Sequence, residues 1–290
     1  MRQTQIVIQN WSDKLAESAL ALLKKYPETS LSLLSTLQQQ GPYQTHEMSS
    51  GNYQCLVCND QVVGVFMMNG FGRLLLQTDR AVDYSKMIIQ AVSPEIEKLT
   101  GLMGDWDLTQ SCLNALQSHF PATQINVCKK EILYRYNLFP LKPFSKNRQV
   151  RLLKPKDYNA WDKLNLAFCT ELNSVLFSND AQRESRYRQE VNNRYWWGLF
   201  LEGKLSAICT YLAKFENYAQ IGGVYTDPVA RNQGLAKQLI LEVIQDSKNK
   251  HGIDYLTLFT HEKNTIAQKV YETLGFKPIG YFGLILCKSH

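Results

Sequence analysis

The chain has 290 residues, a length that suggests two domains. Its hydrophobic content of 44% and charged content of 20% are ordinary for a folded, water-soluble protein. No apolar run reaches the ~20 residues of a membrane span, and the N-terminus lacks the apolar core of a signal peptide. The composition therefore predicts a cytoplasmic protein with no membrane partner.

The formal net charge is +6, with a pI near 8.8. Lysine and arginine are spread along both halves, whereas a nucleic-acid-binding protein concentrates them beside aromatic residues. The densest basic stretch, residues 183–194, also carries Glu184 and Glu190, which is typical of a solvated helix face. We therefore expect no nucleic-acid partner, while a modest basic excess suits a ligand that bears phosphates.

The 7 cysteines are scattered, and the pair Cys55 and Cys58 has the CxxC spacing of a redox site or half a zinc site. No second Cys or His pair follows at a distance that would complete a zinc site. The segment around the pair is typical of a strand, which places the two side chains on opposite faces. We expect reduced cysteines within a sheet and no metal site.

The first half of the chain predicts a mixed α/β unit from its alternating and helical apolar patterns. The predicted elements, in chain order, are a strand at 5–9, helices at 11–25 and 28–39, a hairpin of strands at 53–57 and 62–68, strands at 73–77 and 99–103, a helix at 108–117 and a strand at 128–137. Pro140 and Pro143 then disfavour both helix and central strand. The boundary lies in 137–147, which gives domains at 1–140 and 148–290.

The second half predicts a similar order of elements. They are a strand at 149–153, helices at 156–173 and 180–193, a hairpin of strands at 195–201 and 205–214, a strand at 218–225, a helix at 234–248, a strand at 253–260, a helix at 265–274 and a strand at 281–287. The predicted fold class is α/β, of the α+β kind, with two mixed-sheet domains in tandem.

One strand-to-helix junction in the second half has the features of an anion site. The strand ends in the turn Thr226-Asp227-Pro228, and Arg231-Asn232-Gln233-Gly234-Leu235-Ala236 leads into an amphipathic helix. The first N–H groups of a helix lack intrahelical partners and carry partial positive charge, so they accommodate a diphosphate. Gly234 lacks a Cβ that would hinder close approach, and Arg231 can add charge-assisted hydrogen bonds. A simpler interpretation is an arginine that only meets solvent.

A second motif follows, with Asn264, Ala267, Tyr271, Gly275 and Phe276 in the pattern N-x-x-A-x-x-x-Y-x-x-x-G-F. Together with the segment 224–236, it resembles the two signatures of the GNAT superfamily of acetyltransferases, in order and at the usual separation. The resemblance covers roughly residues 150–287. It implies acetyl-CoA as co-substrate, no metal, and transfer of an acetyl group to an amine of a small-molecule or peptide acceptor whose identity the sequence leaves open.

The resemblance implies a role for each matching residue. The residues expected to bind coenzyme A are Val224, Tyr225 and Thr226 beside the pantetheine and thioester, Arg231 and the amides of Asn232, Gln233, Gly234, Leu235 and Ala236 at the diphosphate, and Asn264. Tyr271 is expected to protonate the departing thiolate. Two simpler interpretations stay open, in which Asn264 only caps a helix and Tyr271 is only a core aromatic.

The sequence identifies no general base and leaves alternative functions open. The strand segment 219–223 offers no carboxylate, so the candidates are Glu171, Glu216 and His261, beside a water-mediated route. One alternative is a non-catalytic acyl-CoA-binding or sensing protein. Another is a transferase of a different acyl group.

In element order, the first half is similar to the degenerate first domain of tandem GNAT proteins. It lacks the R-x-x-G-x-A signature, and its corresponding strand-to-helix turn is assigned to residues 103–107. There the carboxylates of Asp105 and Asp107 would repel a diphosphate. We therefore expect this half to bind no coenzyme A and to serve a structural or acceptor-shaping role.

Overall fold

The computed structural model describes residues 6–138, 149–171 and 179–288. Most of the predicted boundary segment, and the end of the helix predicted at 156–173, lie outside these residues. The elements up to residue 138 are β1 (Ile6–Asn10), α1 (Asp13–Lys25), α2 (Pro27–Gln40), β2 (Gly51–Cys58), β3 (Gln61–Asn69), β4 (Arg73–Thr78), α3 (Ser85–Val92), β5 (Gly101–Asp105), α4 (Trp106–His119) and β6 (Ile125–Asn137).

The same order of strands and helices recurs in the second half. Its elements are β7 (Val150–Leu152), α5 (Tyr158–Glu171), α6 (Asp180–Asn192), β8 (Trp196–Leu201), β9 (Lys204–Phe215), β10 (Tyr218–Thr226), α7 (Leu235–His251), β11 (Tyr255–His261), α8 (Thr265–Leu274) and β12 (Lys277–Cys287). The repetition confirms the predicted fold class, an α/β protein with two mixed-sheet architectures in tandem.

The elements form two compact units. The first unit holds the described residues of Met1–Leu133, Phe259–Asn264 and Pro278–His290, and the second holds those of Tyr134–Leu258 and Thr265–Lys277. Strand β12, apart from its first residue Lys277, therefore lies in the first unit, where its residues 282–286 pair antiparallel with β5. The predicted limits, 1–140 and 148–290, follow the order of the chain, and they place this strand in the second domain.

Close packing explains the sequence of β12 in the first unit. A side chain on Gly283 would collide with Thr109 of α4, a residue with no exposed surface. The neighbouring Ile285 joins the buried core of this unit together with Leu76 of β4 and Leu102 of β5. Glycine thus lets the strand lie close against α4 while its alternate residues fill the core.

Helix α3 is an element that the sequence analysis missed. It has 8 residues, and it buries Ile88, Ile89 and Val92. Such a short apolar run with β-branched residues fits a strand as well as a helix, so its pattern alone does not decide between them. The packing of these side chains in the core of the unit, and not the local pattern, makes the segment helical.

Helix α3 corrects the turn that the sequence analysis assigned to the first unit. Strand β4 runs antiparallel to β3 and parallel to β5, just as β10 runs antiparallel to β9 and parallel to β11. The counterpart of the β10–α7 junction is therefore the β4–α3 junction at residues 79–84. The segment 103–107, which holds Asp105 and Asp107, instead joins β5 to α4. Element order misled the prediction because α3 was missing from it.

The second unit has the strand order β11-β10-β9-β8-β7. Helices α5 and α6 bury an aromatic core against it, in which the Trp161 ring lies 4.6 Å from the Tyr187 ring and 5.2 Å from the Trp196 ring. Tyr225 of β10 belongs to the same core. This packing fixes the end of α5 relative to the end of β10.

The predicted strand around Cys55 and Cys58 is confirmed. Both lie on β2 and carry free thiols, with Cys55 buried and Cys58 half-buried. Burial raises the pKa of the Cys55 thiol to about 11, so this group is protonated and inert at neutral pH.

His251, the last residue of α7, is packed among aromatic rings of the second unit. Its ring lies 5.8 Å from that of Trp197 and 5.6 Å from that of Tyr211. Within the described residues its Nε2 atom is buried without a hydrogen-bond partner. Burial, with Lys214 and Arg194 nearby, lowers the pKa of His251 below its ordinary value of 6.5.

We expect acid to destabilise the protein through this histidine. The unfolded chain binds the proton near pH 6.5 but the folded chain only at lower pH. The stability linked to neutral His251 is therefore complete above pH 6.5 and is lost as the pH falls. Between about pH 7.5 and about pH 5.5, where few carboxylates titrate, the thermal midpoint should fall more in the wild type than in His251→Phe. Equal shifts in the two proteins would contradict this expectation.

Candidate functional site

Strand β10 departs from regular pairing at the residues expected to line the ligand. Between Gly222 and Tyr225 it uses one more residue than its neighbour β9, which is a β-bulge. Gly223, inside the bulge, has a φ of 56°, a conformation that favours glycine. Pairing with β11 ends at Gln220, so the backbone of Val224 lies beyond the regular ladder on that side.

The first three predicted ligand residues follow this bulge. Val224 and Thr226 are half-buried, whereas Tyr225 is buried. The Tyr225 ring packs 5.7 Å from the Phe168 ring in the core of the second unit. Only the backbone of Tyr225 is therefore placed to serve a ligand at this strand.

Asp227 shapes the turn that follows β10. Its carboxylate accepts a hydrogen bond from the Val229 N–H at 3.3 Å and forms an ion pair with Lys204 at 3.0 Å. The bond from Lys204 lowers the pKa of Asp227, so this carboxylate stays ionised at neutral pH. The carboxylate of this turn is therefore already paired with groups of the chain itself.

Helix α7 begins with an exposed turn suited to an anion. Asn232 and Gly234 have φ values of 65° and 72°, and a side chain on Gly234 would meet no atom within 4 Å. The left-handed backbone, and not crowding within the protein, thus requires glycine. The Gln238 N–H bonds back to the Gly234 carbonyl at 3.1 Å, and the amides ahead of it lack intrahelical acceptors.

The exposure of this turn matches its predicted use. The six residues divide into exposed Arg231, Asn232, Gln233 and Gly234, half-buried Ala236 and buried Leu235. No acidic residue lies in the first turn of α7. The residues present therefore fit a diphosphate, through backbone N–H groups and the dipole of a helix 17 residues long.

The structure places Arg231 in a cluster that the sequence analysis missed. Its Nε donates to the Thr226 carbonyl at 3.2 Å, and its Nη2 lies 2.7 and 2.9 Å from the two carboxylate oxygens of Glu171. The Tyr225 hydroxyl donates to the same carboxylate at 2.8 Å. We call these three residues the Glu171–Tyr225–Arg231 cluster. No local sequence signal reveals it, because Glu171 and Arg231 lie 60 residues apart.

The cluster bears on the candidate general base. The hydrogen bond from Tyr225, with Arg231 beside it, lowers the pKa of Glu171 below its ordinary value. A carboxylate with a lowered pKa is a weaker proton acceptor. Glu171 is therefore poorly suited to take the proton of an amine.

Tyr271 lies on α8 and is buried. Its ring centroid is 6.1 Å from that of Tyr134 and 6.0 Å from that of Phe276. Burial raises the pKa of Tyr271, so its phenol keeps its proton at physiological pH and is a weaker acid than an exposed tyrosine. These surroundings are those of a core aromatic, and the role of proton donor stays a prediction.

Asn264 and two base candidates lie elsewhere in the fold. The Asn264 N–H donates to the His261 carbonyl at 2.8 Å, and both residues belong to the segment grouped with the first unit. Tyr271 belongs to the second unit. Glu216 occupies the turn between β9 and β10, with a φ of 48°.

In the first unit, two carboxylates of the corresponding β4–α3 junction accept the hydrogen bonds of nearby backbone N–H groups. Asp83 accepts a hydrogen bond from the Ser85 N–H at 2.9 Å, and Asp79 accepts one from the Ala81 N–H at 3.2 Å. The segment 79–84 also contains no glycine. A diphosphate at the start of α3 would thus meet two negative charges.

We expect the full chain to bind one coenzyme A. The reason is that Asp79 and Asp83 repel the diphosphate at the first unit, whereas the α7 turn carries no such charge. Calorimetric titration should therefore saturate at one ligand per chain. Saturation at two would show that the first unit also holds a cofactor site.

An open cavity of about 190 Å³ lies in the first unit, near the ends of β4 and β5. Its lining includes Tyr26, Arg80, Asp105 and Trp106. Arg80 and Asp105 form an ion pair at 2.7 Å, and the Arg80 guanidinium also lies 5.4 Å from the Tyr26 ring. The charges of Arg80 and Asp105 are therefore paired with each other. None of the predicted site residues lines the cavity.

The described residues also lack two kinds of feature. In residues 6–138, 149–171 and 179–288, no three His, Cys, Asp or Glu side chains are grouped to hold a metal ion. In the same ranges, no helix is long and apolar enough to cross a membrane.

In the second unit a bulged strand of a mixed sheet leads through a left-handed turn into the start of a helix, an arrangement that suits a phosphate-bearing ligand. Residues 161–276 match the model of the acetyltransferase (GNAT) family. The matched region of the second half includes β10, the α7 turn and α8.

A curated relative supports the same family. Over 73 residues the chain is 37% identical to a ribosomal protein bS18-alanine N-acetyltransferase from Haemophilus ducreyi. The match covers 25% of this chain and 48% of the relative, so the chain spans about half the length of that protein.

Solved structures share the fold over nearly the whole chain. A tandem GNAT protein from the clavulanic acid biosynthesis pathway is similar with a TM-score of 0.62 at 12% identity, over 98% of this chain and 98% of that one. A GCN5-related N-acetyltransferase from Sphaerobacter thermophilus is similar with a TM-score of 0.61 at 12% identity, over 98% of this chain and 95% of that one. At such identities the similarity shows the fold alone, and it confirms the tandem GNAT architecture.

Proposed function

We propose that the protein transfers the acetyl group of acetyl-CoA to the amine of an acceptor molecule. The observation that carries the proposal is the β10–α7 junction, where left-handed Asn232 and Gly234 present the exposed start of α7. This junction lies inside the region that matches the family. The absence of acidic residues from the first turn of α7 supports an anionic ligand there.

The remaining residues of the site take roles around this anchor. Arg231 and the amides of residues 232–236 hold the diphosphate, and backbone groups of Val224 and Thr226 lie along the pantetheine. Tyr225 contributes only its backbone, because its side chain is buried. Asn264 donates or accepts a further hydrogen bond to the ligand.

The proposed chemistry is direct transfer without a covalent enzyme intermediate. The amine nitrogen forms a bond to the thioester carbonyl carbon, the carbon–sulfur bond breaks, and sulfur keeps the electron pair. Tyr271 gives its phenolic proton to the thiolate, a role supported by its place in the motif that resembles the family signature; burial raises its pKa, which makes the phenol a weaker acid than an exposed tyrosine. The proton lost by the amine passes to water, since Glu171 has a lowered pKa, and water returns a proton to Tyr271.

The acceptor is proposed only as an amine. The curated relative's name says that it acetylates an alanine of a ribosomal protein, so peptides with a free N-terminal amine belong in the test panel beside amino acids, polyamines and small amines. The experiment follows the release of free thiol from acetyl-CoA and the mass of the product. We expect one amine class to give both signals. If none of the amines in the panel gives thiol release, although binding of acetyl-CoA is measured, the result would contradict acetyl transfer.

A second candidate is a non-catalytic acyl-CoA-binding protein, or a transferase of another acyl group. The segment 219–223 carries no carboxylate, and Glu171 is occupied by Tyr225 and Arg231, which favours a site without an efficient base. Mass spectrometry of the ligand retained on purification separates these candidates. A retained longer acyl-CoA would favour another acyl group, and a retained acetyl-CoA without turnover would favour a binding protein.

A further inference from the structure

We propose that Glu171 is a positioning residue, which holds the guanidinium of Arg231 in the orientation that binds the diphosphate of coenzyme A. The inference rests on the proposed function of the α7 turn. It assigns a role to a residue that lies in α5, outside both motifs of the sequence.

Three contacts hold the Arg231 guanidinium in one orientation. Nη2 meets both carboxylate oxygens of Glu171, Nε bonds to the Thr226 carbonyl, and the guanidinium carbon lies 5.3 Å from the centre of the Tyr225 ring. Nη1 is the one nitrogen of this side chain with no hydrogen-bond partner among the described residues. A planar guanidinium held in this way keeps Nη1 as its donor for a ligand at the turn.

Glu171 is bonded to a side chain of the buried core. The Tyr225 hydroxyl donates to the Glu171 carboxylate, and only 5% of the Tyr225 residue is exposed. The ring of Phe168, one turn earlier on α5, packs against the Tyr225 ring. Glu171 is therefore tied to the packed interior on one side and to Arg231 on the other.

Stability alone does not account for this cluster. The side chains of Arg231 and Glu171 are 42% and 47% exposed, and an ion pair with such exposure contributes little to folding. A free arginine side chain, however, must lose rotamer freedom when it binds a ligand. Holding Arg231 in place before binding removes part of that entropic cost, which gives Glu171 a function in ligand affinity.

Simple electrostatics predicts the opposite effect for the same residue. The carboxylate of Glu171 lies beside a site for a diphosphate, so removing its charge would strengthen anion binding if repulsion were its main effect. Positioning predicts weaker binding instead. The two explanations also differ in salt, because screening diminishes the repulsion between exposed charges but leaves the geometry of a contact pair.

The test is a double-mutant cycle on the full chain, with coenzyme A binding measured by calorimetry. The variants are Glu171→Gln, Arg231→Gln and their combination, at about 0.15 M and about 0.5 M salt. The matched control is Glu184→Gln, which removes an equal charge from another exposed ion pair, the one with Arg188 on α6. Thermal unfolding of each variant shows whether it is folded.

We expect Glu171→Gln to weaken binding by about tenfold at both salt concentrations. In the Arg231→Gln background the same change should have no further effect, because Glu171 acts through Arg231. Glu184→Gln should bind like the wild type. A general loosening of α5 would instead weaken binding equally in both backgrounds.

Unchanged or tighter binding in folded Glu171→Gln, or additive losses in the cycle, would overturn the positioning role. Failure of the α7 turn as a site in a protein that binds no coenzyme A gives a different result, since the wild type itself then shows no binding. Failure of acetyl transfer alone appears as absent turnover with coenzyme A binding intact.

Discussion

Replacing Tyr271 with phenylalanine is expected to lower kcat by about 100-fold, the low end of the range for a general acid. The low end applies because a thiolate leaves readily even without a proton. The ring contacts with Tyr134 and Phe276 are kept, so the fold and the affinity for acetyl-CoA should change little. The measurement is steady-state turnover with an acceptor from the amine panel, beside direct calorimetry of acetyl-CoA binding.

Tyr134→Phe is a matched control for this prediction. It removes a hydroxyl from the neighbouring ring, whose bond at 2.9 Å goes to the Glu272 carboxylate and not to the proposed reaction centre. Its turnover should stay close to that of the wild type. Full activity in Tyr271→Phe would make this residue a core aromatic. Lost binding with the fold preserved would make it a ligand contact.

Reversing the charge at position 231 is expected to have a comparably large effect on binding. In Arg231→Glu a phosphate partner becomes a like charge at the helix start, so the affinity for coenzyme A should fall by about 100-fold. Calorimetry measures the affinity, and circular dichroism checks that the variant is folded. The new carboxylate would also face Glu171, so some loss of thermal stability is expected.

Arg188→Glu is the control for charge reversal. Arg188 is an exposed arginine of the second unit that pairs with Glu184 on α6, away from both sequence motifs. It changes the net charge by the same amount, so its affinity for coenzyme A should fall far less. Unchanged affinity in folded Arg231→Glu would remove Arg231 from the diphosphate site.

Local patterns predicted most elements of the fold. The hairpin of β8 and β9 and the helix α8 follow from turn residues and apolar spacing, and Thr265–Leu274 matches its predicted bounds. Two features did not follow. Helix α3 is too short for its periodicity to be diagnostic, and the pairing of β12 with β5 depends on residues far apart in the chain.

The candidate site also has one part that the sequence predicts and one part that it does not. The turn at 231–236 could be predicted, because glycine before an amphipathic helix is a local signal, and the structure gives Gly234 the left-handed backbone that needs it. The bond between Arg231 and Glu171 could not be predicted, because it depends on how α5 packs beside β10. The assignment of the first unit's strand-to-helix turn to residues 103–107 was wrong for a related reason, because the correct assignment depends on helix α3.

Hydrogen–deuterium exchange with and without coenzyme A tests most directly whether the α7 turn is the acetyl-CoA site. Asn232, Gln233 and Gly234 are exposed, and the first amides of α7 lack intrahelical acceptors, so this turn should exchange fast in the free protein. We expect coenzyme A to protect a peptide spanning Asn232–Ala236, while peptides over residues 79–84 of the first unit are unchanged. Protection at 79–84, or no protection at the α7 turn in a protein that binds coenzyme A, would contradict the account.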